Sequence, residues 1–136
     1  MNILILAYLL SPSKGSEYSV AWNYVTHMSK KNNLTVLYGA SGNQMGDCDE
    51  MEDYIKQNPI PNVCLIPIYP NKLANILNWP NRHHVLEYTF YYAYRVWHLQ
   101  VYKVASELME TKHFDLIHTV NRDIYGNWDC PTYGVP

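Results

Sequence analysis

Apolar residues fall along this chain in two rhythms. Ile3 to Leu10 is an unbroken apolar run closed by Ser11-Pro12-Ser13, as a strand covered on both faces would be. Val20, Ala21, Tyr24, Val25 and Met28 then recur at helical spacing, predicting a helix from Ser16 to about Lys31. Ser16 suits its N-cap and Glu17 its first turn, while Lys30 and Lys31 complement its end before Asn32-Asn33 stops it. Leu34 to Tyr38, closed by Gly39, is a second buried strand. Strand, helix and strand in this order make a βαβ unit and so a parallel sheet.

Farther along, the acidic stretch Asp47 to Gln57 suggests a short helix, and Val63 to Ile68 a third strand ending near Pro67. Residues 69–84 are Pro- and Asn-rich and are expected to be a connection. From Val85 to Glu110, Leu86, Phe90, Ala93, Trp97, Val101, Val104 and Leu108 mark one long helical stripe, expected to bend or split. Phe114 to Thr119 is a fourth strand, and Val120 to Pro136 are expected to be loop. The expected fold class is α/β, a Rossmann-like parallel sheet with flanking helices.

Composition narrows the classes. A chain of 136 residues, 48% hydrophobic and 16% charged, can bury one domain core. Its net charge of −2 gives no electrostatic reason to expect nucleic acid or an acidic membrane as a partner. Cys48, Cys64 and Cys130 have neither metal-ligand spacing nor a disulfide framework, so free thiols in a reducing cytosol are expected. The first apolar run lacks a preceding Lys or Arg and a following cleavage pattern, and falls short of the roughly 20 residues of a membrane helix. The cluster Asp47-Cys48-Asp49-Glu50 lacks calcium-loop spacing and reads as a helix start.

In open parallel sheets ligands gather beyond the carboxyl ends of the strands. Three candidates fall there. Lys14-Gly15-Ser16-Glu17 leads from the first strand into a helix N-terminus, where unpaired N–H groups attract anions and glycine admits a phosphate. An ordinary capped turn has the same pattern. Neither a dinucleotide G-x-G-x-x-G nor a Walker lysine motif is present, which argues against nicotinamide dehydrogenases and P-loop NTPases. His118, expected at the end of the fourth strand, suits proton transfer or a hydrogen bond to a substrate hydroxyl, or else a bond to a neighbouring carbonyl. It is expected to point into the open end of the sheet. The third candidate is Asn121-Arg122-Asp123 with Trp128 and Asp129, where arginine could clamp a phosphate and tryptophan stack on a sugar; a solvated loop is the plain alternative.

Gly15-Ser16-Glu17, with Trp22 five residues on, resembles the first turn of the N-terminal domain of family 4 glycosyltransferases. Phe114-Asp115-Leu116-Ile117-His118 resembles a strand of the same family, and so does the aromatic helix from Tyr88 to Met109 that precedes it. Tyr18-Ser19 and Ala21 depart from the Pro-Gly and Gly frequent in that family. The resemblance implies a two-domain glycosyltransferase-B architecture and sugar transfer with retention, usually without a metal or other cofactor. Residues 1–136 would be the N-terminal, acceptor-side domain, incomplete, with the donor-binding C-terminal domain absent. The partners implied are a nucleotide-sugar donor and a glycan or lipid-linked acceptor, met in the cytoplasm or at the inner face of a membrane. Gly15, Ser16 and Glu17 would face the donor diphosphate, His118 the transferred sugar, and Asn121 and Arg122 would bind substrate. Alone, such a piece is expected to be inactive, with an uncovered strand edge that favours self-association.

Two other classes compete. A flavodoxin-like anion-binding or interaction domain shares the strand and helix pattern, although the acidic residues a receiver domain needs are replaced by Leu9, Leu10 and Ser11. A membrane-surface module would use the aromatic helix, but Glu87, Arg95, Lys103, Glu107 and Glu110 leave that helix no basic face.

Overall fold

The computed structural model describes residues 1–15, 17–40, 50–86 and 88–120. Four strands, β1 (Asn2–Ala7), β2 (Asn33–Gly39), β3 (Val63–Ile68) and β4 (Leu116–Val120), form one sheet in the order β3-β2-β1-β4. Every pairing is parallel, with Ile5 opposite Val36 on one side and His118 on the other. The fold is Rossmann-like α/β. The flavodoxin-like order would place β1 between β2 and β3. Here β2 lies between β3 and β1.

Right-handed crossovers send helices to opposite faces when the strand order reverses. That reversal lies at β1, with β2 and β3 to one side and β4 to the other. Accordingly α1 (Glu17–Met28) and α2 (Glu50–Gln57) cover one face, where Ile3, Ile5 and Val36 meet Ala21, Val25 and Met51. On the other face α3 (Lys72–Arg82) and α4 (Thr89–Thr111) bury Leu4, Leu6 and Leu37 beneath Ala74, Trp97 and Val101. The period-two side-chain alternation of β1 thus feeds two cores, which is why its apolar run is unbroken. Pro67 lies in β3, at one edge of this sheet, where a missing N–H removes no ladder bond on the outer side.

Two expectations need correction. The stretch 69–84 contains the helix α3, despite Pro80 inside it. Asn71 caps it, its side-chain oxygen accepting the Ala74 N–H at 2.9 Å. The long aromatic helix is a single element of 23 residues that starts at Thr89 rather than Val85, because the chain turns beforehand through His84 at φ 55°.

Candidate functional site

β1 ends at Ala7, and the chain runs through a short loop before α1. Ser11 organises this loop from a fully buried position. Its hydroxyl oxygen accepts the N–H groups of Ser13 and Lys14, each at 3.3 Å, and donates to Glu50 Oε1 at 3.0 Å. Glu50 is the first residue of α2, so the loop is tied to the neighbouring helix. Lys14 Nζ lies 3.5 Å from Glu50 Oε2 and 5.4 Å from the centroid of the Tyr18 ring. The carboxylate therefore offsets the lysine charge beside the turn.

Gly15 is exposed, and a Cβ built on it would meet nothing within 4 Å. The main chain is open to approach at this point. Glu17 opens α1, so the helix N-terminus lies directly after the glycine. Ser16 lies outside the described residues, as do Asn121 and Arg122, together with Asp123, Trp128 and Asp129.

β4 is adjacent to β1, and the point between their carboxyl ends is where the strand order reverses. His118 is the third of the five residues of β4, pairing with Ile5, and is half-buried. Its ring stacks on that of Tyr24 from α1, with centroids 4.8 Å apart and planes 18° apart. The imidazole therefore faces the α1 layer, below the rim of the sheet and not into its open end as expected. The strand runs one residue farther than the sequence pattern predicts, to Val120, and alternation turns His118 and Val120 to the same side. At the opposite end, Asp115 accepts the Asn2 N–H at 2.7 Å and its own N–H donates to the Asn2 carbonyl at 2.8 Å. The first of these bonds, helped by His113 at 3.3 Å, holds the Asp115 carboxyl below the usual carboxylate range.

Near the carboxyl end of β1, Tyr8 makes edge contacts with Tyr94 at 4.7 Å and Trp97 at 4.8 Å. The Trp97 indole N–H donates to the carbonyl of Ile68, the last residue of β3, at 2.9 Å. Gln100 fastens the start of α3, accepting the Asn71 N–H at 3.0 Å and donating to the Tyr69 carbonyl at 2.8 Å. An open cleft of about 410 Å³ on α3 is lined by Asn75, Ile76, Trp79 and Arg82. The sequence reading missed this cleft because it had no helix there; the Asn71 cap followed by Leu73, Ala74 and Leu77 was the available signal.

Among the described residues no group of three or more His, Cys, Asp or Glu could hold a metal ion, and no helix is long and apolar enough to cross a membrane. Cys64 is an exposed free thiol. Compared with known proteins, the chain matches no family model, no curated protein and no solved structure.

Proposed function

We propose that this chain is the acceptor-side part of a retaining glycosyltransferase, which moves a sugar from a nucleotide-sugar donor to a glycan or lipid-linked acceptor. One observation carries the reading. The open Gly15 turn follows β1, and His118 lies in the neighbouring strand β4, so these two candidates flank the reversal point of the sheet. Ligands of such sheets bind there.

In this reading the N–H groups of residues 15–17 hold the donor diphosphate at the positive end of α1. As the bond from the anomeric carbon to the diphosphate oxygen breaks, negative charge grows on the leaving group, and fixed N–H dipoles stabilise that charge. The acceptor hydroxyl oxygen forms the new bond on the same face, and its proton passes to the departing diphosphate oxygen. His118 contacts the sugar through the edge of its ring, since stacking occupies the face and leaves the nitrogens in the plane. Asn121 and Arg122, which follow β4 in the sequence, bind substrate.

The test is titration of the chain with inorganic diphosphate and a panel of nucleoside diphosphates, followed by amide NMR shifts. Saturable binding that moves the amides of residues 15–17 is expected, with Gly15→Val weakening it at least tenfold at unchanged melting temperature. Binding by none of the panel, or equal binding by Gly15→Val, overturns the reading.

A further inference from the structure

The sheet has two outer strands, and their free sides differ. In β2, Leu34 faces α1, and its N–H donates to the Asn62 carbonyl at 2.7 Å, on the side away from β1. Parallel strands repeat one another, so every strand residue that faces α1 directs its backbone groups to that same side. In β3 these residues are Val63 and Leu65, with Pro67 next in the alternation, and their groups point out of the sheet. Pro67 has no N–H to offer there, which blunts this edge.

β4 forms the other edge. His118 and Val120 face α1, so their backbone groups run to β1. Asp115, whose N–H also reaches β1, precedes the strand. Ile117 and Thr119 therefore turn their N–H groups and carbonyls outward, where no described strand meets them. Neither proline nor a charged residue interrupts Leu116–Val120. An edge strand in this state is a template for another strand.

The edge is complementary to itself. Two copies of β4 related by a two-fold axis at His118 run antiparallel, with Ile117 opposite Thr119 of the other copy and Leu116 opposite Val120. Each outward N–H then finds an outward carbonyl and none is left over. Sliding the register by two residues pairs only one of Ile117 and Thr119 within the strand. Exposed apolar side chains fit the same arrangement. Leu116 is 41% exposed and Val20 60%, and among the described residues Met1 alone joins them outside residues 69–109. Val20 lies one turn before Tyr24, whose ring covers His118, and so stands over the carboxyl half of the same edge. Antiparallel pairing brings Leu116 of each copy level with Val120 of the other, beneath that Val20. What covers this edge is thus its own counterpart.

We propose that β4 pairs with β4 of a second copy across a two-fold axis at His118, joining two four-stranded sheets into one. The carboxyl ends of the strands point opposite ways in the two copies, so both Gly15 turns stay open. Nothing in this pairing depends on the sugar-transfer reading.

The experiment is sedimentation equilibrium of the chain, with amide hydrogen exchange followed by NMR. A dimer is expected, in which the Ile117 and Thr119 amides are as protected as those of His118 and Val120. Thr119→Pro removes an outward donor without touching a bond to β1, and Leu116→Lys sets a charge against Val120 of the other copy. Each should weaken the dimer at least tenfold, and Thr119→Pro should free the Ile117 amide. If Thr119→Pro fails to fold, Leu116→Lys, at an exposed position, and the exchange pattern of the parent still decide. A chain that stays monomeric overturns the proposal, as does a dimer that Leu116→Lys leaves equally tight. Free exchange of Ile117 and Thr119 in the dimer overturns it too. So does their protection in a monomer, which would mean that the chain covers its own edge.

Discussion

The imidazole of His118 lies nearly parallel to the ring of Tyr24, 4.8 Å away, and so joins the strand β4 to the helix that begins at the Gly15 turn. This contact has a structural and a chemical side that substitution can separate. His118→Ala removes the stack and should destabilise the fold by about 1 kcal/mol. His118→Phe restores an aromatic face without ring nitrogens. Urea midpoints should therefore recover in His118→Phe, while sugar-nucleotide affinity stays as low as in His118→Ala. Recovery of both would make the histidine a packing residue only.

The two glycines near this edge should respond oppositely. A Cβ on Gly39 would stand 2.7 Å from the carbonyl oxygen of Tyr8, to which the Gly39 N–H also donates. That oxygen is backbone and cannot step aside without disturbing the exit of β1. Gly39→Ala is expected to cost about 1–3 kcal/mol. Gly15→Ala meets open space and should change stability by less than about 0.5 kcal/mol. Chemical denaturation of the pair checks both; equal losses would contradict the geometry.

Acid should loosen the seam between Asn2 and Asp115. The Asn2 N–H bond lowers the carboxyl pKa in the folded state. A lowered folded pKa means stability that is fully present above the unfolded value and lost as pH falls through the folded one. Asp115→Asn should thus be less stable than the parent at neutral pH, and the two should converge well below the ordinary carboxylate pKa of about 3.9. Urea midpoints measured down to strongly acid pH test this. A gap that persists in strong acid would assign the loss to packing.

Much of this architecture can be read from local pattern, and the failures have physical causes. β1 and β2 are apolar throughout because each feeds a core on both faces, and that signal needs no long-range information. α3 escaped because Pro80 and asparagines at 71, 75, 78 and 81 mimic a loop, whereas burial of Ala74 and Asn78 against α4 overrides their low propensity. The Gly15 turn was legible as a glycine before a helix start. Its brace was not, since Ser11 and Glu50 are 39 residues apart and nothing local pairs them. His118 was expected to point into the open end of the sheet and instead faces α1, because its facing follows from pairing with Ile5 of β1, which no local pattern gives.

Glu50 gives the sharpest handle on the turn. Its Oε2 lies 3.5 Å from Lys14 Nζ and its Oε1 accepts from the buried Ser11 hydroxyl, so one carboxylate both braces the loop and offsets its lysine. Glu50→Gln keeps an oxygen for Ser11 and removes the charge. The partly exposed ion pair itself contributes little, so the loss of stability should stay below about 1 kcal/mol. With the carboxylate neutralised, one negative charge near the neighbouring Gly15 turn is gone, so the local potential turns more favourable to an anion. Inorganic diphosphate should then bind roughly two- to fivefold tighter, the scale of one partly exposed charge. Calorimetric titration of the parent and Glu50→Gln under equal salt measures the difference. Unchanged affinity would mean that Lys14 takes no part in the site, and weaker binding would mean that the brace, and not the charge, matters there.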